Sequence, residues 1–304
     1  MRARIEACQL SGVKVGRTSF LGMLFRMLSP GTRCLYFCSI PPLVRQTASI
    51  VYFHAANIAE PVDWGHPEVR MRTKLKRWGL GRMIRLFHGK PGRWFCQTEA
   101  IKDRLRATYP GINVAVLPFY EPAADVLMGK SDVEFSAGPQ FNFIYPATAD
   151  VHKNHFRLFE AVQIAARQEP IKLCVTIPDS ADNYAQRIAE VNQSLGYEAI
   201  VNVGRVTRAR ALALLSCSDA LVFPSLKESL GLPLIEAAEL GKPVLVSDLP
   251  YAHAVLSGAK TFDPLKSAEI AEAMLCIVRS RAIMRPARSR ISNNVEALVD
   301  AICT

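Results

Sequence analysis

The chain has no Cys-x-x-Cys pair, no Asp-x-Asp triplet, no internal repeat and no low-complexity segment. Its eight cysteines stand at 8, 34, 38, 96, 174, 217, 276 and 303, several inside apolar runs such as Leu173-Cys174-Val175. That pattern reads as reduced cysteines serving as small core residues, not as a disulfide frame or a metal site. Also missing is the run of roughly eighteen apolar residues that a membrane-crossing helix needs. The best early candidate, Phe20 to Leu28, is short and contains Arg26. Met1 to Gln9 carry Arg2, Arg4 and Glu6 with no apolar stretch behind them, so a secretory leader is not expected and the cytoplasm is the expected location.

What is present suits a globular protein. Half of the 304 residues are apolar, enough to bury a real core, and the length favours two domains. Lys and Arg exceed Asp and Glu to give a formal net charge of +10. Ten of the basic residues fall between Arg70 and Lys102, interleaved with Leu75, Trp78, Met83 and Phe87. Two readings of that segment stand side by side: a surface helix drawn to an anionic membrane, such as the inner face of the plasma membrane, or a solvated helix face beside a core face. Basic charge alone would also suit nucleic acid, but no recognition motif or aromatic platform accompanies it, and no nucleic acid partner is expected.

Short apolar strands are expected at Cys34–Ile40, Ser49–His54, Arg93–Gln97 and Val114–Phe119, with helices at Glu68–His88 and Glu99–Thr108 between them. Residues 131–140 turn polar and contain Gly138 and Pro139, so a boundary is placed there: residues 1–135 form one domain and 136–304 a second. Beyond it, apolar strands (Phe141–Tyr145, Lys172–Ile177, Ile200–Val203, Ala220–Phe223, Pro243–Val246) alternate with helices (His155–Gln168, Asp182–Leu195, Arg208–Ser216, Leu232–Leu240). This is the rhythm of a doubly wound α/β sheet, whose ligands bind beyond the carboxyl ends of the strands.

The densest chemistry lies in the segment from Ser218 to Ala237. A buried strand ends at Pro224-Ser225, a loop carries Glu228, and a helix opens at Gly231 and Pro233. The backbone N–H groups of Leu230, Gly231 and Leu232, beside Ser229, are placed to face an anion with a helix dipole behind them. Glu228 and Glu236 are two helical turns apart if the helix were continuous, and a carboxylate accepts hydrogen bonds from two adjacent sugar hydroxyls. Taken one at a time, each glutamate reads better as a solvated charge; taken together with the flanking pattern, they read as a site.

This segment resembles the Glu-x7-Glu stretch of the retaining GT-B glycosyltransferases of family 4, and Gly241-Lys242-Pro243-Val244 with Ser247-Asp248 resembles that family's next turn and strand. The likeness runs from Phe141 onward. It implies an α/β GT-B fold, two Rossmann-like parallel-sheet domains facing a cleft, with an N-terminal domain that is shortened here. It further implies a nucleoside diphosphate sugar as co-substrate, a glycan or lipid-linked acceptor in polysaccharide or lipopolysaccharide assembly, transfer with retention, and no cofactor or metal. Carried residue by residue, the resemblance gives Lys153 the donor diphosphate, Glu236 the ribose, Glu228 the donor sugar and His54 a place near that sugar. The arginine usually found five residues before the lysine is replaced by Thr148, and Arg205 is the candidate substitute. A sugar-nucleotide epimerase and a non-catalytic nucleotide-sugar-binding remnant are the alternatives.

Overall fold

A computed structural model describes residues 20–30, 34–37, 39–59, 71–127, 139–280 and 286–303. The chain forms two compact units, Met1–Tyr120 with Ser292–Thr304, and Glu121–Ile291. The boundary expected at 135/136 falls at residues outside the described set, and the last residues belong to the first unit instead of the second.

Among the described residues the first unit opens with α1 (Phe20–Leu28) and is built on a parallel sheet of β1 (Leu35–Tyr36), β2 (Gln46–Phe53), β3 (Pro91–Cys96) and β4 (Val114–Val116), in that order. Side chains alternate faces along a strand, and the core follows that period of two. Val51, Phe53, Trp94 and Cys96 share one cluster with Ile84 of α2 (Met71–Phe87) and with Ile101 and Leu105 of α3 (Glu99–Thr108). Ile50, Tyr52 and Phe95 point the other way and meet Leu298. The second half of β2, Ile50–Phe53, is buried on both faces and reads as an unbroken apolar run, and the C-terminal residues supply its second cover. The strand expected over Cys34–Ile40 is only two residues long: Ser39 takes φ 59°, and the extended chain breaks there.

In the second unit, a short helix α4 (Ala123–Leu127) precedes β5 (Phe141–Tyr145), α5 (His155–Ala165), β6 (Ile171–Val175), α6 (Asp182–Leu195) and β7 (Ile200–Asn202). After them come α7 (Arg208–Cys217), β8 (Ala220–Phe223), α8 (Leu232–Glu239), β9 (Val244–Ser247), α9 (Pro250–Val255), β10 (Leu256–Ser257), β11 (Lys260–Phe262), α10 (Ser267–Arg279) and β12 (Arg288–Ser289). The final helix, α11 (Val295–Cys303), carries Leu298 back to the first unit. Six of these strands make a parallel sheet in the order β11-β9-β8-β5-β6-β7, and β10 pairs antiparallel with β12. All residues of β5, β8 and β9 are buried, as a sheet covered on both faces requires.

The chain enters at β5, winds outward to β7, then crosses back to lay β8 on the other side of β5. The strand order therefore reverses between β5 and β8, which pair at Phe143 with Ala220 and Ile144 with Leu221. In a doubly wound sheet the loops leaving such a pair diverge and open a crevice at the carboxyl ends. Here those loops are 146–154 and 224–231.

Candidate functional site

The loop after β5 closes with one turn of 3-10 helix, Val151–Lys153, and Asn154 at φ 61° in the left-handed region that Asn tolerates better than most residues. The Asn154 amide donates to the Pro224 and Pro264 carbonyls at 3.2 and 2.7 Å, and the Leu226 N–H donates to the His152 carbonyl at 2.8 Å. The two loops of the crevice are thus stitched together by one side-chain amide and one backbone N–H, and Lys153 is delivered beside the loop that carries Glu228.

Lys153 Nζ lies 2.6 Å from Glu228 Oε1, and Ser225 Oγ donates to the same oxygen at 2.6 Å. Both side chains of the ion pair are largely buried, 16% and 11% exposed, so the pair is shielded from water more than a surface bridge. The Tyr145 hydroxyl, 2.9 Å from the Lys153 carbonyl and 3.1 Å from Ser225 Oγ, has one proton to share between them, and Tyr251 donates to the Ser225 carbonyl at 2.7 Å. Burial drives the ionisation of both phenols far above the ordinary range, so they remain neutral struts under Ser225.

Glu236 stands in a different setting. It lies on α8, buried, and its Oε1 accepts from Arg208 Nε at 2.9 Å. Burial pushes its carboxyl above the usual range, and the Arg208 guanidinium pulls it back. The helical spacing that would align the two glutamates does not apply, because α8 starts only at Leu232 and Glu228 is in the loop before it. Each glutamate instead meets its own cation. Gly231, at the head of the helix with φ 68°, permits the sharp entry; a Cβ there would lie 3.0 Å from Leu234 Cδ1.

Pro233 has no N–H, and the Leu234 N–H donates back to the Gly231 carbonyl at 2.8 Å. A helix leaves its first N–H groups without intrahelical acceptors, and here that set reduces to Gly231 and Leu232, preceded by Ser229 and the buried Leu230. Thr148 is exposed and bonds locally, its hydroxyl donating to Asp150 at 2.6 Å, while Arg205 is exposed on the loop after β7. The arginine that reaches a site carboxylate is Arg208. Its signal in the sequence was faint: a cation in the first turn of a helix, where the dipole disfavours one.

His54 belongs to the first unit, directly after β2. Its ring stacks on Phe37 at 5.0 Å and 14°, its N–H donates to Ser39 Oγ at 3.1 Å, and its Nδ1 is buried without a hydrogen-bond partner. Among the described residues, no group of His, Cys, Asp and Glu is arranged to hold a metal ion, and no helix is long and apolar enough to cross a membrane.

His155, the first residue of α5, is buried among Tyr145, Phe159 and Tyr184, and burial lowers its pKa to about 3. The sign of its linkage is set by that depression. Below about pH 6.5 the unfolded chain takes up a proton that the folded chain refuses, so stability falls with pH by about 1.4 kcal/mol per unit until pH nears 3. Urea unfolding at pH 7 and at pH 5 should show His155→Leu losing about 2 kcal/mol less than the wild type over that interval. Equal losses would mean that this ring is protonated in the folded state.

The chain belongs to the group 1 glycosyl transferases: the model of that family matches residues 130–297. Among curated proteins it is similar to the O-antigen chain mannosyltransferase RfbU of Salmonella typhimurium, 45% identical over 162 residues that make up 53% of this chain and 44% of that one. It is also similar to the D-rhamnosyltransferase WbpZ of Pseudomonas aeruginosa, 33% identical over 114 residues, 37% of this chain and 28% of that one. The chain spans less than half the length of these relatives. Its fold matches the sucrose-phosphate synthase of Thermosynechococcus elongatus with a TM-score of 0.60 at 17% identity, covering 84% of this chain and 64% of that one. Anabaena HepE, solved with UDP and glucose, matches with a TM-score of 0.59 at 13% identity, covering 83% and 66%. The GT-B pattern of Rossmann-like parallel sheets is therefore shown at the level of fold.

Proposed function

We propose that this protein is a retaining, family 4 glycosyltransferase that moves a sugar from a nucleoside diphosphate sugar to a glycan or lipid-linked glycan acceptor, in the assembly of a surface polysaccharide. The observation that carries this reading is the pairing of Lys153 with Glu228 at the mouth of the sheet's switch point, one loop away from the helix bearing Glu236. Two curated relatives act on O-antigen or transfer rhamnose, by their names, and agree with it.

In this mechanism the diphosphate is the leaving group, and catalysis consists of stabilising the charge it gains as the glycosidic bond breaks. The Lys153 ammonium and the amides of Leu230, Gly231 and Leu232 supply that stabilisation, with Arg205 as an additional cation. Glu236 accepts hydrogen bonds from the ribose hydroxyls. Glu228, released from Lys153 when the phosphate takes over the ammonium, accepts from hydroxyls of the donor sugar. Thr148 adds a hydroxyl in the donor loop but no charge. His54 is assigned to the sugar side of the reaction. No metal is assigned, since the sequence lacks the Asp-x-Asp that commonly bridges one to a diphosphate. Proton NMR of the newly formed glycosidic linkage tests the stereochemistry: the product should keep the donor's anomeric configuration, and inversion would overturn the family 4 reading.

The acceptor is proposed to be reached at a membrane surface in the cytoplasm. Helix α2 carries six basic residues and no acidic one, and it exposes Met71, Leu75, Trp78 and Leu86, with Arg82 5.8 Å over the Trp78 ring. A basic helix with exposed aromatic and aliphatic side chains fits the interface of an anionic bilayer. The chain should sediment with phosphatidylglycerol vesicles and not with phosphatidylcholine vesicles, and Trp78→Ala should weaken that binding. Equal behaviour on both lipids would leave the helix face simply solvated.

A further inference from the structure

Arg208 is the first residue of α7, a helix capped by Thr207, whose hydroxyl accepts from the Arg210 N–H at 3.3 Å. The positive end of the helix dipole disfavours a cation there, so local helix energetics do not account for this arginine. Its partners do. Nε donates to Glu236 Oε1 at 2.9 Å, one terminal nitrogen to Glu121 Oε2 at 2.7 Å, and the other to the Glu121 carbonyl at 2.6 Å. The guanidinium is thus held at three points, and its planar fork fixes the direction from which it meets Glu236. Among the described residues Glu236 Oε2 has no hydrogen-bond partner, so one oxygen of the carboxylate is anchored and the other is left to accept.

We infer that Arg208 is the positioning residue of the donor site, holding Glu236 as an oriented anion whose second oxygen receives the vicinal hydroxyls of the nucleotide ribose. The inference rests on the reading of Glu236 proposed above. A buried carboxyl that loses its charge gains a proton and becomes a donor at the very oxygen that must accept, so the site depends on the cation beside it. The charges around Glu236 are Arg208 and, through it, Glu121, with Glu239 further along the same helix raising the carboxyl's pKa. Arg210 on α7 and Arg288 on β12, elements that pack against α8, are exposed.

The test is calorimetric titration of UDP and GDP into the full chain between pH 5.5 and 8.5, for the wild type, Arg208→Met, Arg208→Lys and Glu236→Ala, each checked for a cooperative melting transition. Arg208→Met should bind the nucleotide roughly ten- to a hundredfold more weakly. Its affinity should also fall away at a higher pH than that of the wild type, because Glu236 without its cation protonates earlier. Arg208→Lys should recover part of the affinity and lie between the two in pH dependence, and it carries the test if the methionine variant does not fold. Wild-type affinity and an unshifted pH profile in the Arg208 variants, with binding lost in Glu236→Ala, would overturn the inference and leave the donor site standing. Unchanged binding in Glu236→Ala would remove the donor reading itself, and the inference with it.

Discussion

Lys153→Met should reduce the rate of sugar transfer at saturating donor by about a hundred- to a thousandfold, the loss seen when one preorganised stabiliser of developing charge is removed. The ammonium sits 2.6 Å from Glu228 Oε1, and Phe223 lies 5.9 Å beneath it. The same substitution removes one partner of a largely buried ion pair, so it should also lower the melting temperature: a stranded buried carboxylate costs about 3–5 kcal/mol when the pair is fully desolvated, and less at this partial exposure. The two effects separate in the double variant Lys153→Met/Glu228→Gln. With no charge left unpaired, stability should return toward that of the wild type, while transfer stays lost. Because Glu228→Gln by itself should slow transfer, that single variant is the reference: a double variant that transfers as fast as Glu228→Gln alone would show that Lys153 acts through folding and not through the diphosphate.

Glu236→Ala is expected to weaken nucleotide binding by about a hundredfold or more, since a site shaped to accept hydroxyls loses both the acceptor and the order of the groups around it. The consequence extends to Arg208, which keeps Glu121 but loses the partner that is buried. Because burial raises the carboxyl's pKa, the wild-type affinity should itself decline as the pH falls through the ionisation of Glu236, and the alanine variant should lack that dependence. Isothermal titration over pH 5.5–8.5 reads both effects in one series. The fold should survive, since alanine is at home in a helix interior and the removed side chain is a charge in a poor dielectric.

Much of the second unit was legible in the amino-acid order because its strands are buried on both faces. The expected bounds of β5, β8 and α6, and of α3 in the first unit, coincide with those observed, and those of β6, β7, β9, α5, α7 and α8 differ by one to three residues at an end. Runs such as Ala220–Phe223 have no polar residue to blur their ends, and Thr98 and Gly196 mark helix ends by their own chemistry, a side-chain cap at one and φ 75° at the other. The pairing of Lys153 with Glu228 joins residues 75 apart, and only the resemblance had put both in one site.

What could not be read depends on contacts distant in sequence. The C-terminal residues were expected to close the second unit, yet Leu298 packs against Ile50, Tyr52 and Phe95 of the first, and nothing in an amphipathic helix states which sheet it will cover. The two-turn spacing of Glu228 and Glu236 holds only for a continuous helix, and the positive φ of Gly231 starts the helix between them, so each meets its own cation. Arg205 was chosen as the second cation because it adjoins a glycine loop; three residues on, Arg208 makes the bonds, and its partners Glu121 and Glu236 lie 87 and 28 residues away.

A binding experiment on the whole chain decides the central claim, that the second unit holds the diphosphate nucleotide of a sugar donor. Melting of the wild type and of Glu236→Ala should be followed against increasing UDP-sugars and GDP-sugars. At least one nucleotide sugar should stabilise the wild type by an amount that grows with its concentration, about 2.7 kcal/mol at a hundred times its dissociation constant, and should leave Glu236→Ala nearly unmoved at the same concentrations. No stabilisation of the wild type by any nucleotide sugar, or equal stabilisation of both proteins, would contradict a donor site in the second unit.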